Sequence, residues 1–422
     1  MTTLPPPTGS VPAALDALAE PEVLVRKGWV ARVTLASIGL WAGFFGPIQV
    51  LLAQQAAEVA PGSKEMVFGL VTGVGAAVSV VSNPLFGALS DRTTSRFGRR
   101  VPWVVLGGLT GAAALLVLAV ADSVPVMLLG WCLAQAGLNA MLAAITATIP
   151  DQVPVPQRGV VGGWVAVAQT VGVVGGVGIA TLTGGVAAGF AATAAVVVVL
   201  AVPFVLRSGD VPLRQEQRPA FRPGELLRGF WLDPRQHPDF AWAWLTRFLV
   251  NLGNALGTLY LFFYLQDAVG HEDPEAGVFV LTGIYAATLV ATTVVGGVWS
   301  DRVGRRRVFV TVAGLVAALA SVILAVTQTW PGAIVAAVVL GAGYGVYTAV
   351  DFALITQVLP TATARAKDLG LINVANALPQ VFAPFLATML VTLAGGYSSL
   401  YLFSAGVCLL GSVLVYRIKG VR

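Results

Sequence analysis

Three charged side chains stand inside long apolar segments of this 422-residue chain, and each is a candidate for chemistry: Arg32, Arg247 and Asp351. A charge within a membrane helix is costly unless it meets water or a partner. Arg247 and Asp351 would lie at similar depth, so we expect them to approach each other. Three interpretations of Asp351 remain: it binds a proton, it forms a fixed ion pair with Arg247, or its side chain reaches the water interface. For Arg32 we expect the side chain to reach the water interface.

Amide and aromatic side chains in the same segments are a second set of candidates. Asn251 and Asn254, three residues apart, share one helix face. The same holds for Asn373, Asn376 and Gln380. Such groups suit an uncharged polyhydroxy solute, while the plainer interpretation is hydrogen bonding between helices. The other candidates for a solute cavity are Trp41, Gln49, Gln135, Asn139, Thr258, Tyr285, Tyr344 and Tyr347.

The composition indicates what kind of element holds these residues. Hydrophobic residues make up 57% of the chain and charged residues 11%, whereas soluble proteins carry about 25% charged residues. The outer face must therefore meet lipid. The apolar stretches run for about 20 residues without alternating polarity, which favours membrane helices over a β-barrel. We predict an all-α membrane protein.

The apolar segments predict twelve membrane helices. Each is close to the roughly 20 residues that cross the hydrocarbon core of a bilayer. We place them at residues 30–54, 66–90, 102–121, 125–149, 159–181, 184–206, 240–265, 276–299, 308–328, 332–356, 368–392 and 397–417.

Basic residues collect on one side of these spans. They fill the loops after the second and eighth spans and the middle segment, whereas the opposite loops hold one cation, Lys64. By the positive-inside rule, both termini and the middle segment are cytoplasmic. The net charge of +5 is thus an orientation signal, and no nucleic-acid partner is expected.

The order of spans and loops predicts five regions. A disordered tail (1–27) precedes a six-helix half (28–206), a cytoplasmic linker (207–239), a second six-helix half (240–417) and a short tail (418–422). Within the linker, residues 225–232 (ELLRGFWL) form either a short helix on the membrane surface or a solvated turn, and the sequence favours neither.

A motif that occurs twice relates the two halves. Residues 87–100 read GALSDRTTSRFGRR, and residues 297–306 read GVWSDRVGRR. Each copy lies where an apolar segment ends and a basic loop begins. Two similar, apolar halves are typical of a transporter whose halves rock against each other.

The double motif resembles the signature loop of the major facilitator superfamily, which follows helix 2 and recurs after helix 8. The resemblance implies a twelve-helix fold with helices 1, 4, 7 and 10 around a central cavity. It implies that Asp91 faces the N-terminus of helix 11 in the outward-open state, and that the second copy acts likewise between helices 8 and 5. The alternative is that the arginines only hold the loops inside. The implied gate residues are Gly87, Asp91, Arg92, Gly98, Arg99, Arg100, Gly297, Asp301, Arg302, Gly304 and Arg305.

Shorter segments are similar to one branch of that superfamily. Residues 83–87 (NPLFG), 150–159 (PDQVPVPQRG) and 366–370 (AKDLG) resemble the glycoside–pentoside–hexuronide and sucrose carriers, among which sugar symporters dominate. Helix 2 holds no carboxylate before Asp91, unlike the sodium-coupled members. Helix 5 lacks the proline that drug–proton antiporters of the superfamily usually show.

We therefore expect a monomeric secondary transporter of the bacterial inner membrane that takes up a sugar or glycoside together with protons. The first alternative is a proton-driven exporter of drugs or metabolites, which an apolar cavity would favour. A second alternative is a receptor or scaffold that transports nothing, against which the intact double motif argues. The sequence shows no metal cluster, nucleotide-binding loop or nucleophile–base pair, so we expect neither an enzyme nor a cofactor. The expected partners are the solute, protons and the lipid bilayer.

Overall fold

A computed structural model describes residues 20–218, 235–357 and 365–418. Within these ranges, the side chains of residues 301, 352, 353, 355–357 and 365–373 are not described. The regular structure of the described residues is helical, which confirms the all-α prediction. The predicted surface helix at 225–232 lies outside the described residues.

The spans occur close to where the hydrophobic pattern predicts them. Among the described residues, eleven helices are long and apolar enough to cross a membrane, and a bent pair makes the twelfth. We number the spans α1 (Lys27–Val59), α2 (Lys64–Asp91), α3 (Val101–Ala119), α4 (Val124–Gln152), α5 (Val155–Leu182), α6 (Val186–Leu206), α7 (Pro238–Leu259 with Leu261–Val269), α8 (Pro274–Val303), α9 (Arg306–Thr327), α10 (Trp330–Gln357), α11 (Arg365–Leu393) and α12 (Gly396–Leu414).

Two spans that the sequence predicts as continuous helices are irregular. In α1, residues Pro47–Leu51 form a π-helical turn, because proline has no N–H to continue the α-helical bonding. In α7, the axis bends by 42° after Leu259. Tyr260 occupies that bend, and its hydroxyl bonds to backbone oxygens of two other helices, those of Glu65 and Pro384.

Helix neighbours repeat between the first six and the last six spans. The pairs α1–α5, α2–α4 and α3–α4 recur as α7–α11, α8–α10 and α9–α10. Across the two sets, α2 packs against α11 and α5 packs against α8. This arrangement agrees with the repeated motif.

Small residues allow these helices to pack closely. A Cβ on Gly46 would lie 2.7 Å from the carbonyl oxygen of Gly176, and a Cβ on Gly107 would lie 2.6 Å from that of Gly137. Close backbone contact of this kind is how membrane helices associate without a hydrophobic driving force. Large apolar side chains such as Val199 and Val326 remain exposed on the outside, where lipid would cover them.

We call the two ends of the helix bundle the basic end and the acidic end. The basic end carries the loop at 92–100 and the loop at 304–305. The acidic end carries the connections at 60–63 and 270–273, and six carboxylates lie in or beside them: Glu58, Glu65, Asp267, Glu272, Asp273 and Glu275.

Candidate transport site

Arg247 of α7 and Asp351 of α10 form an ion pair through Nη1 and Oδ2, as their similar depth predicts. The two side chains are only 13% and 7% exposed. The guanidinium also donates from Nε to Oδ1 of Asn376 on α11, at 2.7 Å. Three helices of the last six spans are therefore joined through one buried charge pair.

Amides and tyrosines extend this pair into a hydrogen-bonded network. Asn251 donates to Oδ1 of Asn376 at 3.2 Å, so that oxygen accepts from two donors. Tyr344 donates to Oδ1 of Asn251 at 2.7 Å. Tyr347 is buried, and its ring packs on that of Tyr344 with centroids 5.7 Å apart. Neutral and charged groups thus share a single network.

A second polar contact lies one turn farther along α7, towards the acidic end. The Tyr285 hydroxyl of α8 donates to Oδ1 of Asn254 at 3.1 Å. The Thr258 hydroxyl donates to the carbonyl oxygen of Asn254 in its own helix, at 3.0 Å. Asn254 and Tyr285 therefore meet, whereas Thr258 bonds to its own backbone.

The polar cluster of the first six spans contains two residues that the sequence prediction missed. Oδ1 of Asn139 accepts from Ser79 at 3.1 Å and from Asn83 at 3.5 Å. The Asn139 amide donates to Oε1 of Gln135 at 3.2 Å. Ser79 and Asn83 are four residues apart on α2, and this spacing on one helix face was the available signal.

Several predicted cavity residues lie apart from these networks. Trp41 packs with Phe44 and Phe45, at centroid distances of 5.9 and 6.0 Å. Gln49 is half-buried in the π-helical turn. No described hydrogen bond joins it to the network around Arg247 and Asp351 or to the cluster around Asn139. Gln380 is exposed and makes no described bond to Asn376. The side chain of Asn373 is not described. Arg32 is half-buried, with a buried Nε that finds no partner among the described residues.

At the basic end, the first copy of the motif is tied to its own half. Arg100 pairs with Asp91 at 2.6 Å and with Asp151 at 2.7 Å, and Arg99 pairs with Asp151 at 2.6 Å. Burial lowers the pKa of Arg100, but its bonds to Asp151 and Asp91 outweigh this effect, so the pKa is raised. The partner implied for Asp91, the N-terminus of helix 11, lies where residues 358–364 and the side chains of 365–373 are not described. That contact is implied for the outward-open state only.

The linker adds a carboxylate to this loop. Oδ2 of Asp210 accepts from the backbone N–H groups of Arg100 at 2.6 Å and Val101 at 2.9 Å, at the start of α3. Gly98 has φ +95°, and a Cβ there would overlap the Asp210 carboxylate. Burial raises the pKa of Asp210, against the lowering effect of the N–H donors and of Arg100.

The remaining gate residues take different positions. Gly87 has open space around it, Gly297 faces Ala349 of α10, and Gly304 ends α8 with φ +67°. Arg302 and Arg305 are exposed and make no described ion pair. Arg92 has a partner, and the side chain of Asp301 is not described. The gating role of both copies therefore stays a prediction.

The first six and the last six spans are held together at the acidic end. Gln54 of α1 donates to Oε1 of Glu275 of α8. Lys64 pairs with Asp267 at 2.6 Å. The Tyr260 hydroxyl donates to the carbonyl oxygen of Glu65 at 3.1 Å. The described hydrogen bonds between the two sets cluster here, so the structure is closed at this end.

Among the described residues, no group of three or more His, Cys, Asp or Glu side chains has the arrangement of a metal site. The polar groups described above are suited to hydrogen bonding with a solute and to proton binding.

We compared the chain with known proteins to identify its family. No curated protein matches the chain. A family model described as Major Facilitator Superfamily matches residues 33–282 and 273–421.

Solved structures share the fold at low sequence identity. The peptide transporter POT in complex with sulfate is 13% identical, with a TM-score of 0.77, over 95% of this chain and 96% of that one. A POT family transporter in complex with 5-aminolevulinic acid is 12% identical, with a TM-score of 0.73, over 95% and 98%. The nucleoside transporter NupG is 13% identical, with a TM-score of 0.70, over 93% and 98%. Because the family model covers nearly the whole chain, the protein belongs to the major facilitator superfamily and is a multi-pass membrane transporter, not an enzyme.

Proposed function

We propose that this transporter takes up a small uncharged solute, a sugar or glycoside, together with a proton. In this proposal Asp351 binds the proton, and the amides beside it bind the solute. The basic end faces the cytoplasm of a bacterium. The protein works as a monomer. Its two six-helix halves (28–206 and 240–417) rock about the site.

One observation carries this proposal: the Arg247–Asp351 pair belongs to the same network as Asn376, Asn251 and Tyr344. A proton on Asp351 would weaken its hold on Arg247, and Arg247 would then shift its bond to Asn376. Proton occupancy and the position of the amides are thereby linked. Such linkage is what a symporter requires of its two sites.

The described contacts support an inward-open state. The cross-half bonds lie at the acidic end, and the positive-inside rule makes that end extracellular. Arg99 and Arg100 of the first motif copy, at the cytoplasmic end, pair within their own half. In the resemblance, the contact of Asp91 with helix 11 belongs to the outward-open state only.

The chemistry of the two polar clusters favours a neutral solute. Among the described side chains of the last six spans, the one deep cation, Arg247, is already paired, and the cluster around Asn139 is uncharged. The resemblance to sugar carriers agrees with this. Nucleosides and peptides, which the structural relatives carry by name, are the solutes to compare with sugars.

The test uses purified transporter in liposomes with an alkaline interior, and radiolabelled disaccharides, glycosides, nucleosides and dipeptides outside. We expect the wild type to accumulate a sugar or glycoside above its external concentration. Asp351→Asn should lose accumulation yet keep exchange of labelled for unlabelled solute, because only the coupling carboxylate is changed. Asp122→Asn, on an exposed loop, is the matched control and should accumulate solute normally.

Other outcomes decide among the alternatives. Loss of both accumulation and exchange in Asp351→Asn would make the pair a structural gate. Failure of all sugars, with extrusion of amphiphilic cations from the same vesicles, would replace the proposal with proton-driven export.

A further inference from the structure

We infer that Glu275 is a second proton-binding site, protonated when the acidic end is closed and paired with Gln54 as a neutral acid–amide pair. The site is separate from Asp351 and holds for any solute. It goes beyond the proposed uptake function, because it concerns which state the transporter adopts and not what it carries.

The position of this pair makes it part of the closure. Gln54 lies in α1 and Glu275 in the first turn of α8, so their bond joins the first six spans to the last six. Thr181 of α5 adds a bond to the carbonyl oxygen of Glu275 at 3.4 Å. These groups must separate when the acidic end opens.

The hydrogen bonds of Gln54 indicate that Glu275 carries a proton. Its Nε2 donates to Oε1 of Glu275, but its own Oε1 is buried and has no partner. An ionised carboxylate only accepts, so it cannot satisfy that oxygen. A protonated carboxyl group donates to the amide oxygen while it accepts from the amide nitrogen. Rotating the amide by 180° leaves the conclusion unchanged, because an ionised Glu275 would then face an oxygen.

The surrounding charges also oppose an ionised Glu275. Partial burial, Asp273 and Glu58 all oppose a negative charge on Glu275, whereas the bond from Gln54 favours one. The nearby cation Lys64 is engaged by Asp267 at 2.6 Å and by Gln266 at 2.8 Å. The N-terminus of α8 favours an anion.

One neighbouring group limits that effect. Asp273 already caps the helix N-terminus, since its Oδ1 accepts from the N–H of Ala276 at 3.0 Å. Of the other titratable groups at this end, His271 packs on Trp330, with ring centroids 4.4 Å apart, and its Nδ1 accepts from the N–H of Asp273. Tyr397 donates to Asp267 at 2.7 Å.

The consequence is a pH-dependent state equilibrium. Glu275 is half-buried while the acidic end is closed. When that end opens, Glu275 loses its contact with Gln54, is fully hydrated and ionises, and closing the end again requires a proton from the same side. External acid therefore favours the closed acidic end. Because one proton is taken up, the ratio of closed to open molecules changes by at most about tenfold per pH unit.

Distances between spin labels across the acidic end test this inference. Cysteines replace Gly62, which has open space around it, and the exposed Thr392, after Cys132 and Cys408 are changed to alanine. As the pH rises from about 5 to about 8, above the range in which an ordinary carboxyl group titrates, we expect the short-distance population of the wild type to fall. Glu275→Gln should keep the short distance at every pH. Glu272→Gln, an exposed acid on the same loop, should respond as the wild type does.

Infrared difference spectra give an independent readout on the unlabelled protein. The C=O band of a protonated carboxyl group should be lost in Glu275→Gln and retained in Asp351→Asn, which separates this site from the proposed coupling site. A wild type whose distances ignore pH, or a Glu275→Gln variant that keeps the wild-type pH response, overturns the inference. Loss of solute accumulation in Asp351→Asn bears only on the proposed function.

Discussion

At the scale of residues, one aspartate holds two buried arginines at the basic end. Asp151 pairs with Arg99 and Arg100, whose side chains are 8% and 3% exposed. Asp91 also pairs with Arg100, but its side chain is 53% exposed. The carboxylate of Asp151 is therefore important for stability, because both of its partners are buried. The exposed carboxylate of Asp91 remains available for other contacts.

Asp151→Ala should destabilise the protein strongly. The change leaves two buried guanidinium groups short of a partner, and removing one member of a buried pair costs about 3–5 kcal/mol. Asp91→Ala should stay within about 1 kcal/mol of the wild type, because exposed pairs contribute little. Denaturant unfolding in detergent measures both. Equal losses in the two variants would contradict this account of burial.

Asn376 is the residue on which the proposed solute site depends most directly. Asn376→Ala leaves donors of Arg247 and Asn251 unsatisfied, which costs about 1–3 kcal/mol for a buried group. We expect the ratio of maximal uptake rate to KM to fall about 5- to 150-fold. Gln380→Ala, one turn later on the exposed side of α11, should leave uptake unchanged. Normal uptake by Asn376→Ala would remove this network from the site.

At the scale of elements, the linker is fastened to α3. The Asp210 carboxylate caps the start of α3 and lies directly against Gly98, so linker and motif loop form one unit. This contact explains why the loop needs glycine at position 98. The gate motif thus depends on a residue more than 100 positions away in the chain.

Gly98→Ala should release the linker. The new Cβ overlaps Asp210, and the left-handed conformation of residue 98 costs about 1–2 kcal/mol for alanine. Limited trypsin digestion should cut the linker about 5 to 30 times faster than in the wild type. Gly159→Ala, with open space around it, should digest at the wild-type rate. An unchanged digestion rate for Gly98→Ala would show that the linker is held elsewhere.

At the scale of the whole molecule, closure of the acidic end depends on how closely α2 and α11 approach. A Cβ on Gly69 would overlap the hydroxyls of Thr388 and Tyr260, and one on Gly73 would meet the ring of Phe385. These glycines let the two sets of spans touch. The closed state is therefore the one that the packing of small residues stabilises.

Gly69→Val should shift the molecule towards a state open at the acidic end. Overpacking costs about 1–3 kcal/mol, which changes the ratio of states about 5- to 150-fold. Spin-label distances across the acidic end should lengthen, and net uptake should slow. Gly175→Val, at a position with no other atoms within 4 Å of an added Cβ, is the control and should behave as the wild type. Short distances in Gly69→Val would contradict this role for the glycine.

The sequence by itself determined the membrane class, the positions of the spans and the family motif. These features depend on local hydrophobicity and on residues close together in the chain, so they can be predicted without knowledge of the fold. The approach of Arg247 to Asp351 could also be predicted, because helix rise gives depth and a buried charge requires a partner. The functional roles of the site residues stay predictions.

Only the tertiary structure decided which helix faces meet. Ser79 and Asn83 join Asn139, Asp210 caps α3, and Gln54 meets Glu275 because of how the helices rotate and slide against one another. The rotation of each helix about its axis depends on the packing of many small side chains at once, so it cannot be predicted from any single residue. The same packing placed Gln380 outside the network that holds Asn376, although both share a helix face in the sequence pattern.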